Sequence, residues 1–270
     1  MNINQVCERL QILLKVRLQN NISPIIVGIS GGQGSGKSTL SSVLSKKLKI
    51  DKIPSAVLSL DDFYLTKDER KKLSTKIHPI AVRRGVPGTH DTAFLTRVLS
   101  LLRKQDCPLP ITVPSFEKGI DDRKPPEFWP SITEYPKVVF IEGWCVGAFS
   151  ESLAPTPETE WELKNDPNGI WKKWTKNQAK NYEEIWNSIN FLIFIEQKDF
   201  NQVVEDRWRQ EQKILSLNQS HTFQTKEEVR EFCNLFESWT YQIWKFCKSH
   251  ANVTLKRDLD YNFIWEGNYE

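Results

Sequence analysis

The feature that most constrains the fold of this 270-residue chain is a glycine-rich loop placed directly after an apolar, β-branched run. Residues 25–29 have the composition of a buried strand, and the loop from Gly31 to Ser38 satisfies the pattern G-x-x-x-x-G-K-[ST]. Glycines let the backbone curl so that successive N–H groups converge on an anion. The apolar periodicity after the loop predicts a helix, whose positive end would face the same anion. A strand, this loop and a helix in that order predict a site for a nucleoside triphosphate.

The chemistry of phosphate binding assigns a role to each part of the loop. Lys37 can reach the β- and γ-phosphates, and the hydroxyl of Ser38 can be offered to Mg²⁺, so ATP and Mg²⁺ are the expected cofactors. A merely flexible Gly/Ser loop is the alternative, and the flanking strand and helix argue against it. The residues expected to contact the nucleotide are Gly31, Gly32, Gln33, Gly34, Ser35, Gly36, Lys37, Ser38 and Thr39.

Five short apolar segments separated by helical patterns predict a three-layer α/β fold of the P-loop NTPase type, with a five-stranded parallel sheet flanked by helices. The expected strands are 25–30, 55–60, 138–141, 191–195 and 252–255. The longest expected helices are 4–20, 92–104, 199–216 and 225–248. Two segments carry no clear periodicity: residues 67–84 are charged and irregular in pattern, and residues 151–170 are rich in turn formers.

Acidic residues follow two of the predicted strands. Because ligands of parallel α/β sheets bind outside the carboxyl ends of the strands, these acids should meet around the phosphates. Asp61 and Asp62 follow the second strand, and either could accept the proton of an attacking hydroxyl or hold Mg²⁺ through water. A helix-capping pair is the alternative for the two aspartates. Glu142, after the third strand, is expected to be the second acid near the metal, with an ordinary strand-end ion pair as its alternative.

Basic residues later in the chain leave two interpretations open. Arg207 and Glu211 lie four residues apart on a predicted helix, where a surface ion pair would have a small energy. The same arginine could instead belong to a lid and neutralise the transferring phosphoryl group. Lys118, Asp122 and Arg123 lie in a long, proline-rich stretch, either as solvated loop charges or as contacts of a substrate loop.

Composition excludes several classes of function. A net charge of +3 gives no reason to expect a nucleic acid or a membrane as partner, and no apolar run approaches the roughly 18 residues of a membrane span. Five scattered cysteines without a C-x-x-C pair are typical of reduced thiols, so we expect a cytoplasmic protein. The four histidines stand too far apart to suggest zinc, and the helical pattern before the first strand leaves no room for a leader peptide. The oligomeric state is not predicted.

Five ordered motifs together resemble the D-glycerate 3-kinase family, within the uridine kinase, phosphoribulokinase and pantothenate kinase group of P-loop kinases. The motifs are the P-loop, Leu60-Asp61-Asp62-Phe63-Tyr64, Arg84-Gly85-x-Pro87-Gly88-Thr89-His90-Asp91, Phe116-x-Lys118 to Asp122-Arg123, and Glu142-Gly143-Trp144-Cys145-Val146-Gly147. The resemblance extends from about residue 25 to 215. It implies ATP-dependent phosphorylation of the 3-hydroxyl of D-glycerate, which gives 3-phosphoglycerate.

The resemblance also implies roles for individual residues. Asp61 matches the base that follows the second strand in this group, and Tyr64 matches its pocket tyrosine. Arg207-x-x-Gln210-Glu211 matches the lid helix, although Asp206 stands where a tryptophan is usual, and Phe116-Glu117 replaces a tyrosine–aspartate pair. The expected catalytic residues are Lys37, Asp61, Glu142 and Arg207, with Ser38, Asp61 and Glu142 as metal ligands. The expected substrate contacts are Asp62, Tyr64, Arg84, His90, Lys118 and Arg123, with the two arginines as the leading partners of a carboxylate.

In this interpretation, residues 1–270 form a single kinase domain. It comprises an N-terminal helix (1–24), a substrate-binding insertion (65–136) and a lid helix (199–216). Two rival functions remain at this stage. A kinase of another small acceptor, such as a nucleoside or a pantothenate-like molecule, would need a different acceptor site, and aromatic residues near Phe116 and Trp144 keep a base-stacking slot open. A non-catalytic nucleotide-binding module would lack the base or the lid arginine, and this chain has candidates for both.

Overall fold

A computed structural model describes the chain over residues 1–20, 24–104, 107–216, 223–258 and 260–267. Within these ranges the strands are β1 (Ile25–Gly31), β2 (Ser55–Ser59), β3 (Ile111–Thr112), β4 (Phe116–Glu117), β5 (Asp122–Arg123), β6 (Ser131–Ile132), β7 (Val138–Gly143), β8 (Phe191–Glu196), β9 (Val253–Arg257) and β10 (Phe263–Glu266). The helices are α1 (Ile3–Gln19), α2 (Lys37–Ile50), α3 (Lys67–Lys76), α4 (Thr92–Arg103), α5 (Glu160–Asn165), α6 (Ile170–Ala179), α7 (Glu183–Asn187), α8 (Phe200–Ser216), α9 (Lys226–Asn234) and α10 (Glu237–His250).

Six of these strands form one sheet in the order β10-β9-β8-β1-β7-β2. Five run parallel, which confirms the predicted parallel sheet, and β10 adds an antiparallel edge. The sequence did not predict β10, because four residues of mixed burial carry no periodic signal. Strands β7 and β2 lie on one side of β1, and strands β8 and β9 lie on the other side. The strand order therefore reverses at β1, and a crevice opens at the carboxyl end of this strand.

Helices cover both faces of the sheet, as the prediction of three layers requires. Alternate residues of β1 point to opposite faces, so Ile25, Val27 and Ile29 pack with α1 and α2, while Ile26 packs into the larger core on the other face. The smaller core is completed by apolar residues of α1 and α2 that are fully buried: Val6, Leu10, Leu14, Leu40, Leu44 and Leu48. None of the described helices combines the length and the apolar character of a membrane span.

The segment 67–84 begins with helix α3, so the expectation of irregular structure was wrong there. Thr66 and Glu69 form a reciprocal capping box at its start, in which the Thr66 side chain accepts from the Glu69 N–H and the Glu69 carboxylate accepts from the Thr66 N–H. This motif is a helix start signal in its own right. Apolar periodicity missed the helix because its only buried residue is a charged one, Arg70.

Two other segments also differ from the prediction. Residues 151–170, expected to be turns, contain the short helix α5, which Thr159 and Glu162 cap in the same reciprocal way. The single helix expected at 225–248 is two helices, α9 and α10, with a break at Leu235 and Phe236. Both residues at the break are buried, so the apolar stripe continues through it and conceals it.

Candidate active site

The P-loop joins β1 to α2 at the centre of the sheet. Gly34 and Gly36 have φ angles of 74° and 98°, a left-handed conformation that favours glycine. Lys37 is the first residue of α2, and its Nζ donates to the Gly32 carbonyl at 2.8 Å. Burial lowers the pKa of this lysine, and the charges of Glu142 and Asp61 oppose that shift. The positive end of α2 and a buried ammonium group therefore face the same crevice.

The Ser38 hydroxyl donates to Oε1 of Glu142 at 2.8 Å. Glu142 lies near the end of β7, directly beside β1, and its side chain is buried. A hydroxyl and a carboxylate are oxygen donors of the kind that Mg²⁺ prefers, and Mg²⁺ usually needs few protein ligands beside substrate phosphates. Over the ranges that the structure describes, no three His, Cys, Asp or Glu side chains gather into a metal cluster. The donor set therefore fits Mg²⁺ held jointly with a nucleotide rather than a dedicated metal cage.

Asp61 lies on the 3₁₀ helix Leu60–Phe63 that follows β2, and both of its oxygens have partners. Tyr64 Oη donates to Oδ1 at 3.0 Å, and Lys118 Nζ lies 2.6 Å from Oδ2. Burial alone would raise the pKa of Asp61, but the charge and hydrogen bond of Lys118 outweigh burial and hold it well below its usual range. Asp61 is therefore ionised at neutral pH, as a proton acceptor must be.

The neighbouring aspartate has a different environment. Oδ1 of Asp62 accepts from the Phe116 N–H at 3.0 Å and so anchors the strand β4, which belongs to a different part of the chain. Burial raises the pKa of Asp62, and the side chain does not line the cleft. The geometry therefore favours Asp61 over Asp62 as the base.

His90 lies behind Tyr64 rather than in the cleft. The two rings stack with centroids 4.4 Å apart, and His90 Nδ1 lies 2.8 Å from the hydroxyl of Tyr182. That hydroxyl also accepts from the Gly88 N–H at 3.0 Å. Burial lowers the pKa of His90 to about 3, so the imidazole is neutral. The structure thus places His90 as a support for the Tyr64 ring, where the sequence suggested a substrate contact.

The two arginines predicted to bind the carboxylate of the acceptor have different surroundings in the structure. Arg84 lines the cleft, lies 5.4 Å from the centre of the Phe116 ring, and forms an ion pair with Asp121. Arg123 is not among the lining residues. Its Nε donates to the Tyr64 carbonyl at 2.7 Å, and its Nη2 lies 3.3 Å from the Asp91 carboxylate. Its donors are directed at the protein itself, so the structure gives Arg123 a role in holding the loop.

Helix α8 covers the P-loop. A Cβ on Gly34 would lie 2.5 Å from the carbonyl carbon of Asp206, so only glycine allows this close packing. Arg207 pairs with the fully buried Glu211 and lies 5.5 Å from the centre of the Phe223 ring. The i, i+4 pair is present but is buried rather than at the surface, and Arg207 also lines the cleft; its role toward the phosphoryl group stays a prediction.

A cleft of about 760 Å³ brings these groups together. The predicted residues that line it are Gln33, Gly34, Gly36, Lys37, Ser38, Thr39, Asp61, Tyr64, Arg84, Lys118, Glu142 and Arg207. The predicted residues outside the lining are Gly31, Gly32, Ser35, Asp62, His90 and Arg123. Gly31 and Gly32 still shape the loop, since a Cβ on Gly32 would lie 2.3 Å from Oε1 of Gln197.

Sequence reasoning missed several residues of the site. Arg257 and Tyr261 come from the β9–β10 hairpin and line the cleft beside the P-loop, with the Arg257 guanidinium 4.2 Å from the centre of the Tyr261 ring. No motif marks them, and only the sheet order brings β9 close. Arg70 is also missed: it is fully buried, and it donates to the Val82 carbonyl at 2.9 Å and to Asp121 Oδ2 at 3.1 Å.

A parallel sheet of this order, a P-loop at its centre and acids at the ends of the neighbouring strands define a P-loop kinase of a small molecule. No family model matches the chain. The uncharacterized kinase mug58 of Schizosaccharomyces pombe is 33% identical over 223 residues, which cover 78% of this chain and 78% of that protein. The chloroplastic D-glycerate 3-kinase of Arabidopsis thaliana is 28% identical over 225 residues, which cover 80% of this chain and 47% of the plant protein. This chain therefore spans about half the length of the plant relative.

The fold has a solved counterpart. The D-glycerate 3-kinase from Cryptococcus neoformans var. grubii matches with a TM-score of 0.75 at 22% identity, over 98% of this chain and 99% of that chain. At this identity, the match supports the fold alone. It confirms the predicted fold class, and the sequence relationship to the plant enzyme confirms the predicted resemblance. The chain belongs to the family of kinases that includes mug58, it is homologous to the plant D-glycerate 3-kinase, and it is an ATP-dependent kinase.

Proposed function

We propose that the enzyme transfers the γ-phosphoryl group of ATP to the 3-hydroxyl of D-glycerate and forms 3-phosphoglycerate. The observation that carries the proposal is the placement of Asp61 in one cleft with the P-loop and with two cations, Arg84 and Lys118. A kinase of a small hydroxy acid needs this combination: a phosphate site, a proton acceptor and a charge that recognises a carboxylate. The sequence relationship to the plant D-glycerate 3-kinase supports the same acceptor.

The nucleotide end of the cleft would bind the triphosphate through the P-loop backbone and Lys37. Ser38 and Glu142 would hold Mg²⁺, with Asp61 as a further ligand through water. When bound, the ion supplies positive charge to the β- and γ-phosphate oxygens. Lys37 and Arg207 would stabilise the negative charge that the transferring phosphoryl group carries in the transition state. Arg207 lines the cleft and is paired with the buried Glu211, which supports this role.

Asp61 would act as the general base. The 3-hydroxyl oxygen of the acceptor forms a bond to the γ-phosphorus, the bond from that phosphorus to the ADP oxygen breaks, and the hydroxyl proton passes to the Asp61 carboxylate. Tyr64 would hold this carboxylate in position through its bond to Oδ1. Mutating the tyrosine should therefore affect the chemical step more than the binding of ATP.

The carboxylate of the acceptor would be bound by Arg84 and Lys118. A three-carbon acid has little apolar surface, so charge-assisted hydrogen bonds must supply most of its binding free energy. The arginine fork matches a carboxylate in geometry, and the lysine adds a movable charge. His90 and Arg123 support this end of the cleft indirectly, through the ring and the backbone of Tyr64.

The remaining parts of the proposal concern organisation. Residues 65–136 would form the acceptor-binding insertion and residues 199–216 the lid, both within one domain that includes the N-terminal helix. Helix α8 already packs on the P-loop, which supports its role as a lid. All five cysteines are unpaired, in agreement with a reducing compartment, and we place the enzyme in the cytoplasm.

An ADP-release assay across a panel of acceptors tests the proposal. The panel contains D-glycerate, L-glycerate, glycerol, uridine, cytidine and pantothenate at equal concentrations, with ATP and Mg²⁺. We expect release that depends on D-glycerate and is far weaker with glycerol, which lacks the carboxylate. Release with uridine or cytidine and none with D-glycerate would reject the acceptor and retain the kinase.

A further inference from the structure

The turn between β4 and β5 carries opposite charges at its two ends. Lys118 at one end lies 2.6 Å from Oδ2 of Asp61. Asp121 at the other end pairs with both Arg84 and Arg70. The turn therefore supplies a cation to the candidate base and an anion to the arginine that would bind the acceptor. Both contacts involve groups that a substrate with a carboxylate would need.

The two ends differ in how firmly they are held. Asp121 is bound by the fully buried Arg70, whose guanidinium also donates to the Asp121 carbonyl at 2.5 Å and to the carbonyls of Leu65 and Val82. Lys118 reaches Asp61 along a flexible side chain that is 55% exposed. The Asp121 end is therefore the fixed end of the turn, and the Lys118 ammonium is the group that can exchange partners.

The position of Lys118 has a consequence for the base. Each oxygen of Asp61 already has one partner, Tyr64 at Oδ1 and Lys118 at Oδ2, so an incoming hydroxyl would have to share its oxygen with an O–H or with an ammonium group. An acceptor with a carboxylate can draw the ammonium toward itself and expose Oδ2. Water and neutral alcohols have no charge that competes with Asp61 for the lysine.

We propose that Lys118 is a specificity-determining residue that holds Asp61 until an anionic acceptor replaces that carboxylate as its partner, and thereby suppresses the transfer of phosphate to water. This inference rests on the proposed function, since it requires an acceptor that carries a carboxylate. Without Lys118, a water oxygen forms the bond to the γ-phosphorus, ADP leaves, and the water proton passes to Asp61. The products are ADP and inorganic phosphate.

The test compares Lys118→Met with a matched control on the same hairpin, Lys124→Met. Lys124 pairs with Glu117 at 3.5 Å and does not line the cleft. In the absence of any acceptor, we expect Lys118→Met to hydrolyse ATP about tenfold faster than the unmodified enzyme, because a released general base recovers part of its usual rate effect. Lys124→Met should hydrolyse ATP at the rate of the unmodified enzyme. The preference for D-glycerate over glycerol in kcat/KM should fall by a similar factor in Lys118→Met alone.

Two outcomes would overturn the inference. Unchanged or slower acceptor-free hydrolysis in a folded Lys118→Met, with only a higher KM for D-glycerate, would show that the lysine binds the acceptor and does not restrain the base. Fast hydrolysis in the unmodified enzyme would show that no restraint exists. If Lys118→Met unfolds, Lys118→Gln repeats the comparison, with thermal unfolding as the check. The hydrolysis assay contains no glycerate, so failure of the acceptor assignment is seen separately in the acceptor panel.

Discussion

The phosphate end and the acceptor end of the cleft are built in different ways. At the phosphate end, the loop from Gly31 to Thr39 is continuous in sequence, with Gly34 and Gly36 at positive φ and Lys37 at the start of α2. The acceptor end draws Asp61, Arg84 and Lys118 from separate segments, and these side chains form ion pairs within the protein. The comparison shows that a backbone site is preformed by local sequence, whereas a side-chain site depends on which of several charged residues the fold brings together.

The largest effect is expected at the phosphate end. Lys37→Ala removes the positive charge closest to the transferring group and should lower kcat by about 10³-fold or more. Lys46→Ala is the matched control, because Lys46 is an exposed residue of the same helix. Steady-state kinetics of both variants check the prediction. Near-normal turnover of Lys37→Ala would contradict the nucleotide site itself.

The next effect distinguishes the two candidates for the general base, Asp61 and Asp62, which lie between the phosphate end and the acceptor end of the cleft. Asp61→Asn removes the proton acceptor but no phosphate contact, so kcat should fall by about 10²- to 10⁴-fold with little change in the KM for ATP. Asp62→Asn keeps an oxygen that can accept from the Phe116 N–H, so its kcat should change far less. A larger loss in Asp62→Asn would reverse the assignment of the base.

A smaller effect distinguishes the two arginines at the acceptor end. Arg84→Lys loses the fork geometry and should raise the KM for D-glycerate by about 10- to 100-fold, while the KM for ATP stays nearly constant. Arg123→Lys should instead destabilise the fold by about 1–2 kcal/mol, because it weakens bonds to the Tyr64 carbonyl and Asp91. Urea unfolding and acceptor kinetics are measured on both. If Arg123→Lys raises the KM and Arg84→Lys does not, the carboxylate is bound at Arg123.

The last effect is on stability rather than on turnover, and it concerns the residue that supports Tyr64 behind the acceptor end. The pKa of His90 falls from 6.5 to about 3 on folding because the ring is buried, so the unfolded chain binds a proton that the folded chain does not. Stability is therefore unaffected above about pH 6.5 and declines as the pH falls toward 3, by about 2 kcal/mol at pH 5. His90→Gln should remove this part of the decline between pH 7.5 and 5, as measured by urea unfolding. The matched control, His250→Gln, changes an exposed residue and should decline as the unmodified protein does.

The phosphate end of the site could be predicted from the sequence more fully than the acceptor end. The P-loop, Asp61 and Glu142 were expected to lie together because each lies at or just beyond the carboxyl end of an apolar strand, and all three line the cleft. The positions of Arg123 and His90 could not be predicted, since a motif shows which residues recur but not which of them face solvent. The place of Arg257 in the site could not be predicted for another reason: this residue comes close to the P-loop only through the order of the strands in the sheet.

The fold shows a similar limit. The five parallel strands were predicted because buried strands are continuous apolar runs. The break between α9 and α10 at Leu235 and Phe236 was not predicted, because these two residues are buried in the core as residues within a helix would be. Phe236 contacts the Trp144 ring with centroids 4.9 Å apart, so this break helps to form the wall of the cleft. The break is associated with packing between distant segments, and no local sequence pattern marks it.

The most direct test of the account is to identify the phosphorylated product. The enzyme is incubated with ATP, Mg²⁺ and D-glycerate, and the product is examined by ³¹P NMR beside authentic 2-phosphoglycerate and 3-phosphoglycerate. The account predicts 3-phosphoglycerate in stoichiometric amounts with ADP, and none with Lys37→Ala. Formation of 2-phosphoglycerate would contradict the account. Release of ADP and inorganic phosphate without any phosphorylated glycerate would contradict it as well.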